Sequence, residues 1–177
     1  YYGFEPIGIN EDDFTGTLDG QGHKITGLYI NRENFDGNRE AGLIYYADHA
    51  SISNLSLVGG SITGNSEAGA IAAYGYYTTV TNVSSDLDIT SLDGSYVGGL
   101  FGELWSYDYD NHNGSSITNS FSTGQVTGDY SVGGLAGWAM NTTFTNSFYN
   151  SLVSATDEYS GGFVGYGESI DVINSYA

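Results

Sequence analysis

Along most of the chain, apolar residues alternate with polar ones for a few positions, the pattern breaks, and it starts again. Ile117 stands between Ser116 and Thr118, with Asn119 on the same side as Ile117, and Val126 stands between Gln125 and Thr127. A period of two marks half-buried strands, and the Gly, Ser, Asn and Asp that fill the breaks are turn formers. Nowhere does an i, i+3, i+4, i+7 spacing run long enough for a helix. The pattern predicts an all-β chain of many short strands.

The breaks are themselves periodic. The segments SISN, TVTN, SITN, TFTN and DVIN end at Asn54, Asn82, Asn119, Asn146 and Asn174, in steps of 28, 37, 27 and 28 residues. Gly27 fills the same slot one step earlier. A second marker, a Gly followed by apolar residues, begins at Gly42, Gly69, Gly99, Gly134 and Gly162, in steps of 27, 30, 35 and 28. A unit of this size cannot bury its own apolar face, and stacking coil on coil does so while pairing the backbone. We expect a single parallel β-solenoid domain over residues 1–177, with about six coils and a rod on the order of 30 Å long. Each coil of 27–28 residues should carry three short strands, such as those around Ile117, Val126 and Leu135. Asn54, Asn82, Asn119, Asn146 and Asn174 are expected to stack as an amide ladder at an inward turn.

The segments GGLFG, GGLAG and GGFVG, beginning at Gly98, Gly133 and Gly161, follow the Asn motif by about 15 residues. Together with the leader FEPIGINEDDFTGTLDGQGHKITGLYI (residues 4–30), they resemble the GLUG-motif repeats of bacterial and archaeal surface proteins. Such repeats occur in large adhesins and in regions of M26-type IgA peptidases outside the catalytic domain. The first two copies, Gly42-Leu43-Ile44-Tyr45 and Gly69-Ala70-Ile71-Ala72, lack the closing Gly. The resemblance implies a right-handed β-helix and a surface location, and brings neither ligand nor catalytic residue. It divides the chain into a leader and first coil (1–30) and repeat coils (31–177), with an inserted loop at 103–115.

Composition narrows the partners. With 177 residues and 40% hydrophobic content, the chain can bury one narrow core. No run of 18 apolar residues is present to form a transmembrane helix. The chain starts at Tyr1 rather than Met, which reads as a processed or excised piece. The absence of Cys indicates no compartment. There are 21 acidic residues and 3 basic ones, Lys24, Arg32 and Arg39, with none from Glu40 onward. This balance opposes binding to nucleic acid or anionic membranes. It suits a secreted or cell-surface protein among abundant counter-cations, or simply a negative surface that keeps rods apart.

The 103–115 loop holds Trp105, Tyr107, Asp108, Tyr109, Asp110 and His112. Rings beside carboxylates suit a glycan, whose C–H faces stack on aromatics while its hydroxyls donate to carboxylates. Asp108 and Asp110 also offer oxygen to calcium, but an EF-hand fails here, because its fifth, sixth and twelfth positions hold His112, Asn113 and Asn119. The alternative is a flap covering the neighbouring coil. Four residues past the repeated Gly stand Tyr46, Ala73, Glu103, Trp138 and Tyr166, the outline of an aromatic stripe to which Trp138 contributes a further glycan contact. The stripe reads equally as cross-coil packing. Asp86 and Asp88 flank Leu87, about 6.5–7 Å apart on one strand face, a separation found in inverting glycosidases and equally on any solvated strand. The stack has no Lys or Arg to serve as a lyase base, and the three His lack metal-ligand spacing.

These features predict a non-enzymatic extracellular solenoid, an adhesin or structural segment with no cofactor other than calcium. The chain stops within a coil at INSYA, so the expected partners are neighbouring coils of a longer protein or identical subunits meeting end to end. Glycan binding through the 103–115 loop is the alternative, and polysaccharide hydrolysis comes third.

Overall fold

The computed structural model describes residues 2–9, 12–34, 37, 39–93, 96–107 and 114–177. Among them there is no helix, and every pairing between strands is parallel. The protein is a parallel β-solenoid of about five turns, close to the six coils expected.

Each turn divides into short segments that stack on their equivalents in the next. One column comprises Ile44–Asp48, Ala72–Tyr76, Phe101–Trp105 and the start of both Ala136–Thr145 and Val164–Ile173. A second places Ser51, Thr79, Ser116, Thr143 and Asp171 in register, and a third runs through Ala68–Gly69, Tyr96–Gly98, Ser131–Gly133 and Tyr159–Gly161. Strands lie over Ile117 and Val126, whereas Leu135 sits in the bend between Ser131–Gly133 and Ala136–Thr145. That bend is stacked too: Ile71 N–H donates to Leu100 O at 2.9 Å, Leu100 N–H to Leu135 O at 2.9 Å, and Leu135 N–H to Phe163 O at 2.8 Å.

The core is made of single-file apolar columns. Ile52, Val80, Ile117 and Phe144 share one register, and Ile62, Ile89 and Val126 another; all are fully buried. Each such side chain contributes about 1.5–3 kcal/mol when taken out of water. Their alternating neighbours face solvent, which accounts for the period of two in the sequence.

The repeated Asn lies outward, not inward. Asn54, Asn82, Asn119, Asn146 and Asn174 all adopt left-handed backbone, with φ between 49° and 57°. Asn82, Asn119, Asn146 and Asn174 are exposed and Asn54 is half-buried. Asn accepts this conformation more readily than other side-chain-bearing residues. One left-handed residue turns the strand so that Thr118 and Asn119 both face out and Ser120 turns in, interrupting the simple alternation. Amide contacts are present in part: Asn54 Nδ2 donates to Asp19 Oδ1 at 3.0 Å, Asn82 Nδ2 to Asn54 Oδ1 at 3.1 Å, and Asn146 Nδ2 to Asn119 Oδ1 at 3.1 Å.

The inward ladder consists of the residues after the Asn. Ser120 and Ser147 are buried, and each hydroxyl donates to a carbonyl two residues back, Thr118 O at 2.8 Å and Thr145 O at 2.9 Å. Each also accepts an N–H from the coil before: Val83 N–H to Ser120 Oγ at 3.0 Å, Ser120 N–H to Ser147 Oγ at 3.2 Å, and Ser147 N–H to Ser175 Oγ at 3.0 Å. The side chain supplies the acceptor that the turned backbone cannot.

The Gly pairs mark close approach between coils. A Cβ on Gly134 would lie 2.2 Å from Cγ of Tyr149 and 2.1 Å from Gly162 O. Tyr149 is buried there, and its hydroxyl bonds Leu152 O at 2.7 Å and Gly124 O at 3.0 Å.

Candidate functional site

The first column presents an outward face in which alternate positions form two files. In the first, Tyr46, Tyr74, Glu103, Trp138 and Tyr166 are in register; in the second, Asp48, Tyr76, Trp105, Met140 and Glu168. Tyr74, not Ala73, therefore occupies the stripe, and Ala73 is buried. The difference arises because Gly69 pairs with Gly98, the first Gly of its pair, whereas Glu103, Trp138 and Tyr166 are counted from the second, so counting four residues from Gly69 falls one short.

Parallel pairing holds the rings close enough to touch along the axis. Tyr46 and Tyr74 lie 5.7 Å apart, Tyr76 and Trp105 4.3 Å, Trp105 and Trp138 6.4 Å, and Trp138 and Tyr96 5.7 Å. The run continues from Tyr96 to Tyr130 at 6.4 Å, Tyr130 to Tyr159 at 5.4 Å, and Tyr159 to Tyr166 at 5.4 Å. Tyr107 stands 5.1 Å from Trp105 and is 45% exposed, and its carbonyl accepts a hydrogen bond from the Tyr77 hydroxyl. At the other side, His49 stacks on Tyr77 at 5.0 Å and its Nδ1 lies 2.6 Å from Asp48 Oδ1.

Carboxylates are set among the rings. The Tyr74 hydroxyl faces two acceptors, Glu67 Oε2 at 2.8 Å and Glu40 Oε1 at 3.2 Å, and Ser66 Oγ also bonds Glu67. Glu67 is only 8% exposed. Burial, with the Glu67 charge second, pushes the Glu103 carboxyl up to about 7. Burial and the neighbouring Glu67 and Glu40 charges push the Tyr74 hydroxyl far above its ordinary range. Among the described residues, two of the buried side-chain atoms without a hydrogen-bond partner belong to this face, Nε1 of Trp105 and Oε2 of Glu40. This acidic set was missed in the sequence, although the segment EAG occurs twice, at 40–42 and 67–69, one repeat apart.

The other candidate residues are distributed as follows. Glu103 to Trp105 belong to the strand Phe101–Trp105, so the departure from the stack begins after Trp105; Trp105 and Trp138 lie on the sheet face rather than in a loop. Asp108, Tyr109, Asp110 and His112, with the calcium reading that rests on the two Asp, fall outside the described residues. Among the described residues, no three His, Cys, Asp or Glu are grouped to hold a metal ion. Asp86 and Asp88 do not share a strand: Asp86 precedes the strand Asp88–Ser91. Both are exposed and engaged by backbone, Asp86 by the Gly59 N–H and Asp88 by the Gln125 N–H at 3.0 Å.

The fold and this face define a parallel β-solenoid with an aromatic and acidic flank. No family model matches the sequence, so the GLUG resemblance rests on the residues quoted above. The chain is 36% identical over 104 residues to Halomucin of Haloquadratum walsbyi, a match covering 58% of this chain and 1% of that protein. It is also 36% identical over 87 residues to a protein of Evansella cellulosilytica provisionally named a Gly-rich membrane protein, covering 48% of this chain and 10% of the other. The chain thus spans a small part of the relatives it matches. A crystal structure from Bacteroides ovatus, provisionally named an immunoglobulin A1 protease, superposes with a TM-score of 0.62 at 18% identity, over 88% of this chain and 61% of that one. That likeness shows a shared fold.

Proposed function

We propose that this solenoid is a non-enzymatic module of an extracellular or cell-surface protein, serving as a structural or adhesive segment. The observation that carries the reading is the uninterrupted parallel stack, whose core is apolar and whose outward files are hydroxyls, amides, rings and acids. Support for a surface setting comes from the stretches shared with Halomucin and with the Evansella protein named for the membrane. The net charge of −18 suits a rod that stays dispersed among cations. Digestion of intact producing cells with a Glu-specific protease tests this, since Lys24, Arg32 and Arg39 are the only sites for trypsin. Peptides of this chain should leave intact cells; their release only after lysis would overturn the assignment.

The free edge of Val164–Ile173, beside exposed Val172, Ile173 and Tyr176, is where a further coil would pair, from the same chain or from a second copy. Negative-stain microscopy of the purified chain, with and without calcium, distinguishes these: continuous thin fibres for copies joined end to end, short rods otherwise.

A second reading is favoured by the aromatic and carboxylate face. It places a glycan contact on the sheet, with Trp105, Tyr107 and Trp138 as its rings.

A further inference from the structure

The solenoid carries two kinds of aromatic run. Phe121, Phe148 and Tyr176 stack at 4.6 and 5.3 Å with ring planes within 5° of each other. On the first column, by contrast, Tyr76 meets Trp105 at 49°, Trp105 meets Trp138 at 29°, Trp138 meets Tyr96 at 31°, and Tyr130 meets Tyr159 at 80°. These rings are tilted, half-buried or exposed, and leave part of their faces to solvent, with Tyr166 44% exposed. Strand pairing on both sides fixes the positions of Trp105 and Trp138, so a ligand would meet them already ordered.

We propose that this face binds an uncharged glycan chain laid along the solenoid axis, its sugar rings stacked on Trp105 and Trp138 and its hydroxyls donating to Glu103. The inference rests on the glycan reading above and adds the class of chain and its direction. Direction follows from the ring run, which crosses successive coils from Tyr46 to Tyr166. That is four inter-strand steps, or about 19 Å, room for several sugars rather than one.

Charge and hydrogen-bond chemistry decide the class. Glu40, Glu67 and Glu103 lie at this face, Arg32, whose charge reaches Glu40, is buried, and no Lys or Arg occurs beyond Arg39, so sulfated or uronic chains are repelled. Glu67 is buried, Glu40 Oε2 is covered, and both acids already accept the Tyr74 hydroxyl, so they leave an ammonium group little to pair with, whereas the rings and Glu103 stay partly open. The face therefore favours a neutral polyol over an amino sugar.

Trp105 and Trp138 are the only tryptophans in the chain, so intrinsic fluorescence reads the site directly. The test is native electrophoresis of the whole 177-residue chain through gels containing hydroxyethylcellulose, galactomannan or amylopectin, with glycol chitosan and alginate gels alongside. Tryptophan fluorescence is then titrated with the hexaose and the biose of the backbone that retards the protein. At least one neutral gel should slow migration, and the hexaose should bind at least tenfold more tightly than the biose. W138A should weaken hexaose binding tenfold or more, while F148A, on the other aromatic run, should leave it unchanged, with circular dichroism confirming that both are folded. Retardation by glycol chitosan alone would overturn the neutral class yet keep the glycan reading. Equal affinity for biose and hexaose would overturn the axial placement. No retardation in any gel, or retention unaffected by W138A, would remove both readings.

Discussion

The buried Ser ladder gives the sharpest test of how the coils are joined. In Ser147→Ala the hydroxyl that accepts the Ser120 N–H at 3.2 Å disappears, and so does its own donation to Thr145 O at 2.9 Å. Thr145 O keeps the Asn119 N–H at 2.9 Å, so the carbonyl retains a partner. The Ser120 N–H does not: its residue is 1% exposed, and the methyl that replaces the hydroxyl cannot accept a bond. An unsatisfied buried donor costs about 1–3 kcal/mol, and we expect about 2 kcal/mol here. For a chain of 177 residues this lowers the thermal midpoint by roughly 4–8 °C. Urea and thermal unfolding followed by circular dichroism measure the change, and hydrogen exchange at the Ser120 amide locates it. Ser175→Ala should cost less, because Ser175 is half-buried in the last coil. A Ser147→Ala protein within 0.5 kcal/mol of the parent, with the Ser120 amide still protected, would refute the bridging role.

Three further outcomes follow from the geometry. Asn82→Ala should destabilise by about 1–2 kcal/mol because Ala resists a φ of 57°, whereas Asn82→Gly should cost clearly less in urea unfolding; equal losses would place the effect in the amide bond to Asn54 instead. Gly134→Ala, whose methyl would meet the Tyr149 ring, should cost about 1–3 kcal/mol, and Tyr149→Leu in the same chain should relieve part of it on calorimetry. Glu103 keeps its proton up to about pH 7 in the folded state, while the unfolded chain releases it near 4.5. Between those values the native state holds more protons, so stability should fall as pH rises, by about 3 kcal/mol in all, and stay low above 7. Glu103→Gln should abolish that slope between pH 5 and pH 8; a slope that persists would assign it to another group.

Much of the architecture was legible because a stacked fold writes its period into the chain. The spacing of Asn54, Asn82, Asn119, Asn146 and Asn174 marks equivalent points in successive turns, and alternation around Ile117 and Val126 marks inward columns. Alternation misled at Asn119, because one left-handed residue resets which side faces in, and φ is invisible to a polar–apolar pattern. The aromatic file was read with one wrong member, Ala73 for Tyr74, since a single-residue offset within a Gly pair shifts the count without disturbing the motif. Glu67 escaped notice for a different reason: its burial depends on Tyr74 and Ser66 closing over it, and only the third dimension brings those together.

The parallel stacking has a mechanical consequence. Hydrogen bonds between coils point along the rod, and the chain enters at one end and leaves at the other. A pull on the two ends therefore loads one coil's bonds at a time, peeling the terminal turn while the rest stays intact. Each turn of 28 residues that lets go releases roughly 95 Å of slack. Such a rod yields stepwise under tension, lengthening in small increments and rewinding when the load drops.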